Sequence, residues 1–510
     1  MEEYKVLITT GGIGSRLGSL TNYTNKCLVR VGDKPAISHI IEAYPRTTQF
    51  VITLGHFGDY VKQFLTLAYP DKDFTFVTVD NFKGQNSSLG HSILQAKNHL
   101  QCPFIFHASD TILTSQDTIP TPDSNWCAGA YKESTSQYRT LNISNDEITC
   151  INEKGELNFD YPYIGLCGIK DYRLFWEHLE GLPPQSTLSD VHVINKMLKT
   201  VRFEFNLINK WLDIGNSAEL KKSIEYFGSD IEVLEKENES IYFFDDFVIK
   251  FFSNSSICKN RVARAETLYP IVPKILGSTL NFYKYKKAEG KLFSKSATER
   301  SFRSFLDWAH VNLWVQKHKE DFNKDCIKFY IDKSLDRISL YLESNSDCLH
   351  VNGEDLPSIK TLMEKVDVAW IGEGIPSQYH GDFILDNIIE TPSGFSLIDW
   401  RQDFAGDLEV GDIYYDLSKL NHNLTVNHSI IDKGLYDSSP ENCHIMCNST
   451  LIACKKILHR FITDKGYDLK KVELLTSIIW INMSPLHSYP FNEFLYNFGK
   501  YSLHKALKND

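Results

Sequence analysis

Apolar residues in the first quarter of the chain come in short β-rich runs at 5–10, 49–54, 74–79 and 103–107. Between them lie stretches with apolar residues at helical spacing, such as 59–68 and 88–100. Strands alternating with helices predict a mostly parallel, Rossmann-like α/β sheet with helices on both faces and ligands at the carboxyl ends of its strands. A helical run at 217–226 closes this part, and Gly228-Ser229-Asp230 reads as a turn. The pattern then changes. A hairpin is expected over 242–252 around Asp245-Asp246, a crossing segment over 282–295, a long amphipathic helix over 296–317 and mostly helix from 433 onward. Two abutting domains follow: 1–227, and an α+β domain at 228–510 with a small lobe to about 290 and a helical lobe beyond.

Composition narrows the function classes. A chain of 510 residues is long for one core and suits two. The formal charge is -11, and no dense Lys/Arg block overrules it, which disfavours a nucleic-acid binder. No run approaches the roughly 20 apolar residues of a membrane span, and the acidic start MEEYKVLITT does not read as a signal peptide. The 11 cysteines are scattered, as reduced thiols of a cytoplasmic protein would be. Cys443, His444 and Cys447 have no second pair to complete a zinc site.

The first strand empties into Gly11, Gly12 and Gly14, so backbone amides can approach phosphate oxygens closely, and a helix expected from Ser15 adds the positive end of its dipole. Leu17 replaces the third glycine of a dinucleotide fingerprint, and Gly-Lys-Ser/Thr is missing, so neither that motif nor a Walker loop is present. The continuation is Arg16, Leu20-Thr21, Asn25-Lys26 and Val31-Gly32-Asp33-Lys34-Pro35. It resembles the signature of sugar-phosphate nucleotidyltransferases, phosphocholine cytidylyltransferases among them, and departs from it at Asn25, where proline usually precedes the lysine. The resemblance implies that Arg16 and Lys26 act on the phosphates. It implies that Asp110, in FHASD, and Asp213, in Trp211-Leu212-Asp213-Ile214-Gly215, hold Mg²⁺, and that Glu153 and Lys154 meet the substrate and its phosphate. The segment GQNSSLGH at 84–91, with Gln85 and Ser88, falls where that family reads the nucleobase. Asp190 is a further family-like position, equally explained as a helix cap.

The stretch HGDFILDNIIETPSGFSLIDW at 380–400 carries a second chemistry. Asp382, Asn387 and Asp399 place three oxygen-bearing side chains at the ends of short elements. Magnesium takes a few such oxygens together with phosphate and water, and a hydroxyl nucleophile needs one further carboxylate to take its proton. Asp382 is the candidate base; Asn387 and Asp399 are the candidate ligands. The order H-G-D-x-x-x-x-N, then I-D-W, Arg401 and GDIYYDL at 411–417, resembles the aminoglycoside phosphotransferase and choline kinase family, relatives of protein kinases. The resemblance implies ATP, with Lys250 and Glu266 as an ion pair at its phosphates. The glycine loop of protein kinases is missing, and 237–240 stands in its place. Trp480, Tyr489, Phe491 and Tyr496 lie where choline kinases build a cation-binding aromatic box, although core packing accounts for such aromatics more often.

Together these features predict a bifunctional enzyme of nucleotidyltransferase and alcohol-kinase type, acting in surface glycan or lipid activation. One half would phosphorylate an alcohol with ATP, and the other would couple the product to a nucleoside monophosphate from a second NTP, CTP by analogy. Choline, another amino alcohol and a monosaccharide all fit as the alcohol. Two active domains on unrelated substrates, or a nucleotide-responsive binding or scaffold protein, are the alternatives.

Overall fold

The computed structural model describes residues 3–84, 87–114, 117–133, 135–183, 188–228 and 237–508. The chain forms two compact units. The first takes residues 1–255 and 276–285, the second 256–275 and 286–510.

A nine-stranded sheet organises the first unit, in the order Asp73–Thr78, Gln49–Leu54, Lys5–Thr9, Phe104–Ala108, Tyr161–Ile169, Trp126–Ala130, Glu204–Ile208, Glu147–Asn152, Thr140–Ser144. The first four strands form a parallel block. Alternation along them sends side chains into two cores. Val6, Ile8, Phe50 and Ile52 pack with Ile37, Ile41, Phe64 and Leu65 of helices Ala36–Glu42 and Gly58–Ala68. Leu7, Val51, Phe104 and Phe106 pack instead with Ile93, Phe175, Trp176 and Ile194. Helices therefore cover both faces, as the alternating pattern requires.

The sheet is mixed rather than mostly parallel. Tyr161–Ile169 runs antiparallel to both neighbours, and Thr140–Ser144 and Glu147–Asn152 form a hairpin. A parallel pair needs a long crossover, whereas the link at Asn145-Asp146 is a tight turn with both residues at positive φ, which permits only antiparallel pairing. The helix expected from Ser15 is a 3₁₀ segment, Ser15–Thr21, broken at Gly18 (φ 63°, ψ -134°). An aligned helix dipole is thus no part of this loop.

The compact units do not follow the expected seam at 228. The hairpin Glu239–Phe243 and Phe247–Phe252, with strand Phe282–Lys286, belongs to a four-stranded sheet whose apolar face joins the first unit's core. Phe64 meets Tyr242 and Phe282 at ring distances of 5.3 and 6.0 Å, and Tyr60 meets Phe251 at 4.9 Å. The buried Tyr242 hydroxyl donates to Leu28 O at 2.7 Å, and Lys284 Nζ donates to Leu67 O at 2.8 Å. A two-stranded ribbon exposes too much apolar surface to stand alone, and this one finds cover on the helix Gly58–Ala68. The expected crossing segment accordingly begins as a sheet strand, and only 291–296 turns away, as strand Lys291–Leu292 and helix Phe293–Ser296.

Helices dominate the second unit. Ile413–Asn423, Leu469–Met483 and Phe491–Lys508 pack into its interior, and Ile413–Asn423 is buried at nearly every position. Helix Glu299–Asn312 begins at a capping box between Thr298 and Ser301 and ends earlier than its pattern suggested. A small sheet, Lys291–Leu292, Ile388–Thr391 and Gly394–Leu397, carries the 380–400 stretch. Among the described residues no helix is long and apolar enough to cross a membrane.

Phe282 is fully buried between Tyr60, Phe64 and Phe251. Phe282→Ala is expected to destabilise the first unit by about 3–5 kcal/mol, read as a lower urea midpoint. A loss under about 1 kcal/mol would show that the hairpin sheet is not part of that core.

Candidate functional site

The parallel block turns direction at its first strand. From Lys5–Thr9 the chain adds Gln49–Leu54 on one side and later Phe104–Ala108 on the other. Such a switch leaves a crevice beyond the carboxyl ends of the two strands, where no crossover fills the space. The loops that leave those ends carry Gly11–Lys26 and Asp110.

Four of the expected side chains meet there. Lys26 Nζ lies 2.5 Å from Asp110 Oδ2, both partly shielded from solvent. Burial alone would raise the Asp110 carboxyl, but Lys26, with help from Arg16, holds it below the usual carboxylate range. Strand Trp211–Asp213 pairs antiparallel with Thr111–Leu113, Asp213 opposite Thr111, and Ile214 N donates to Asp110 O at 3.1 Å. Asp213 therefore sits beside Asp110, and burial and then the Asp110 charge raise its carboxyl. Tyr138 Oη and Gly215 N each donate to Asp213 at 2.7 Å. A Cβ on Gly215 would stand 2.8 Å from Asp213 Oδ1 and 3.5 Å from Arg16 Nη2, so both side chains border this glycine.

The departure at Asn25 has a structural answer. Its buried amide donates to Thr10 O at 2.8 Å and His56 O at 2.5 Å, while its Oδ1 accepts from Cys27 N at 2.9 Å. Three hydrogen bonds anchor the loop, and Lys26 leaves it toward Asp110. Gly14 (φ 73°) is required by this turn, since a Cβ would press on Thr21 and on Lys26 Cβ at 3.0 and 3.1 Å. Gly12 has open space around its missing Cβ, and Gly11 packs beneath the loop near Gly55.

Lys154 faces this centre: burial, then the charges of Arg16 and Arg139, lower its ammonium, and Glu153 and Asp110 oppose them. Glu153 is turned to Arg139, 3.1 Å from its Nε, and to His192. Asp190, in the first turn of helix Asp190–Met197, accepts from Tyr163 Oη at 2.7 Å. The Ser88 hydroxyl is committed to His91 N as the cap of helix Leu89–Gln95. Gln85 lies outside the described residues.

In the second unit, the 380–400 stretch is bracketed from below by one buried carboxylate. Asp416 accepts from His380 N at 2.8 Å, Gly381 N at 2.7 Å and Trp314 Nε1 at 3.1 Å, and burial pushes its carboxyl up to about 6. Gly381 (φ 86°) has no room for a Cβ, which would lie 2.6 Å from Arg401 Cβ. Burial drives the His380 ring down to about 4, so it is neutral; Nδ1 accepts from Asp382 N at 3.3 Å, and Nε2 donates to Ile398 O at 3.0 Å. That ring ties the Asp382 loop to the residue before Asp399. Asn387 is tied to both, its Nδ2 donating to Asp382 O and Oδ2 at 2.9 and 3.1 Å and its carbonyl accepting from Ile398 N at 2.9 Å.

Lys419 Nζ is 2.8 Å from Asp382 Oδ1. Arg261 pairs with Asp399, whose φ of 57° is the left-handed region and costs a non-glycine residue about 1–3 kcal/mol. Trp400 Nε1 on Arg261 O (2.7 Å) and Arg401 N on His380 O (3.0 Å) hold it there. Lys250 lies buried on strand Phe247–Phe252 in the first compact unit, and Glu266 on helix Ser255–Leu268 in the second. The aromatic box does not assemble. Trp480 and Tyr496 are core residues, Tyr496 stacked on Tyr341 at 4.1 Å, and Tyr489 is exposed.

Sequence reasoning passed over Tyr138, Arg261, Asp416 and Lys419. Asp416 stood in the GDIYYDL segment and could have been named; the other three carry no local signature.

Among the described residues no three His, Cys, Asp or Glu side chains gather into a metal-binding group. The Asp110 and Asp213 pair still fits Mg²⁺, since two neighbouring carboxylates repel each other and this ion completes its shell with phosphate and water. In the second unit Asp399 is engaged by Arg261, so a cation would share that carboxylate.

No protein-family model matches the chain. It is 31% identical over 113 residues to the bifunctional IPC transferase and DIPP synthase of Archaeoglobus fulgidus, over 22% of this chain and 21% of that protein. It is 33% identical over 88 residues to a Bacillus subtilis protein described as a probable glucose-1-phosphate cytidylyltransferase, over 17% of this chain and 34% of that one. The matches thus span about a third or less of these curated relatives' lengths. Among solved structures, the CTP:phosphocholine cytidylyltransferase of Streptococcus pneumoniae is similar over 44% of this chain and 100% of its own, at 17% identity and a TM-score of 0.38. The curated relatives thus match 22% of this chain or less.

Proposed function

We propose that residues 1–227 form a nucleotidyltransferase, CTP its nucleotide, acting on a small phosphomonoester, and that the 228–510 region is an ATP-dependent alcohol kinase which makes that phosphomonoester. The observation that carries the first half is the meeting of Lys26, Arg16, Asp110 and Asp213 at the carboxyl ends of the parallel block. The relative described as a cytidylyltransferase favours CTP. The second half rests on the His380 ring and the Asn387 side chain, which fix the candidate base Asp382 beside Asp399.

Nucleotidyl transfer brings two anions together. A phosphomonoester oxygen attacks the α-phosphorus of the NTP, the bond to the bridging oxygen breaks, and pyrophosphate departs. Lys26 and Arg16 lower the repulsion that opposes this approach, and Lys154 receives the incoming phosphate. Asp110 and Asp213 would hold Mg²⁺, which when bound supplies charge neutralisation at the α-phosphate. In the kinase half the alcohol oxygen attacks the γ-phosphorus of ATP and ADP leaves. Asp382 takes the hydroxyl proton, and Lys419 aims that carboxylate. Asn387 and Asp399 would hold the Mg²⁺ of that step.

Asp110→Ala is expected to slow pyrophosphate release by about 10²-fold or more while leaving ADP formation intact, and Asp382→Ala to do the reverse. Equal loss of both steps in either folded variant, followed by coupled assays for each product, would contradict two separate centres. Asn25→Ala frees the loop that aims Lys26. It is expected to lower kcat for pyrophosphate release about tenfold with a smaller change in KM for the NTP, since the anchor positions rather than binds.

A further inference from the structure

Beside Asp382 the second unit gathers positive charge that its own carboxylates do not answer. Lys419 is on Asp382. Arg401 follows Trp400, its stem against the Cα of Gly381, the residue before Asp382. Its guanidinium lies over the Phe329 ring at 5.0 Å, and Lys333 Nζ lies over the same ring at 4.4 Å. Arg337 is one turn further along helix Lys333–Leu342. All four are partly rather than fully buried, as is Asp382.

Among the described residues Lys333, Arg337 and Arg401 make no ion pair; Arg401 Nε donates to the backbone oxygen of Asp403 at 2.9 Å. Burial, then the like charges of Arg401, Arg337 and Lys419, bring the Lys333 ammonium down to about 7, and the Asp403 carboxylate only partly opposes them. Like charges are crowded in this way where an anion is the missing partner. A cationic acceptor would find the opposite of what it needs: Trp480 and Tyr496 are in the core, half-buried Phe491 packs on Tyr436 and Phe494, and Tyr489 is exposed.

We propose that the acceptor of the second unit is an anionic alcohol, a hydroxyl compound carrying a carboxylate or phosphate group that Lys333, Arg337 and Arg401 bind while Asp382 takes the proton of its hydroxyl. This rests on the kinase reading above. It favours a hydroxy acid or sugar phosphate over choline or any amino alcohol. In the transfer step the alcohol O–H bond breaks, its proton goes to Asp382, the oxygen bonds the γ-phosphorus of ATP, and ADP leaves with the electron pair of the broken P–O bond.

The full chain, supplied with ATP and Mg²⁺, tests this on two matched acceptor sets. One is glycerate, glycerol 3-phosphate, glycerol and 3-amino-1,2-propanediol; the other is glucuronate, glucose 6-phosphate, glucose and glucosamine. ADP formation should favour the anionic members in kcat/KM by about tenfold or more, and comparison within each set tells carboxylate from phosphate. Lys333→Met and Arg337→Gln should each raise KM for the anionic acceptor about tenfold with little change in kcat or in KM for ATP, and Lys333→Arg should restore it. Preference for a neutral or amino alcohol overturns the inference and leaves the kinase reading standing. So does a rise in KM for ATP instead of the acceptor. Phosphorylation of no alcohol in either set, by protein that still releases pyrophosphate, overturns the kinase reading and this inference with it.

Discussion

The Lys26 ammonium against the Asp110 carboxylate is the interaction on which the first unit's chemistry depends. It sits where the parallel block reverses its strand order, the one place in such a sheet where loops from two adjacent strands open onto a crevice instead of a helix. Neither partner would be tolerated there alone. The partly buried carboxylate is kept ionised by that cation, and the lysine is aimed by Asn25, whose side chain bonds Thr10 O, His56 O and Cys27 N. Asp213 then arrives on the strand opposite Thr111 and adds a second carboxylate to a neighbourhood already charged.

The second unit solves a similar problem with different means. There the backbone of one loop is pinned by a buried carboxylate, Asp416, and by a neutral imidazole that links Asp382 to Ile398. The arrangement keeps two acids, Asp382 and Asp399, and the Asn387 amide on one loop and hairpin. Each is held by a named partner: Lys419 on Asp382, Arg261 on Asp399, and Asn387 on Asp382. Positioning by fixed partners is what a phosphoryl-transfer site requires, because transition-state charge is stabilised by groups that are already in place.

Much of this was legible in the sequence because period and punctuation agree. The short β-rich runs, the glycines after the first strand and the helical spacing at 59–68 gave elements close to those observed. The mixed half of the sheet was not legible. Thr140–Ser144 and Glu147–Asn152 are short and partly polar, and their direction is set by a tight turn whose Asn-Asp pair carries no strong signature. The hairpin around Asp245-Asp246 was read correctly as a hairpin, but periodicity says nothing about what covers its apolar face. Lys26, Asp110 and Asp213, named on their motifs, come together in the structure, whereas Tyr138, Arg261 and Lys419 were not named, since each reaches its partner across more than 35 residues of chain. Lys333 carries no motif either, and it meets Arg401 only over the ring of Phe329.

The account's central claim is that one chain carries two phosphate centres working in series, and isotope tracing tests it most directly. With ATP labelled by ¹⁸O at the γ-phosphate, unlabelled CTP and the alcohol that the kinase half accepts, the labelled phosphate should appear in the nucleotide-linked alcohol, next to the alcohol oxygen, while pyrophosphate leaves unlabelled. A nucleotide-linked product without the label, or labelled phosphoalcohol that accumulates while CTP is left untouched, would contradict it.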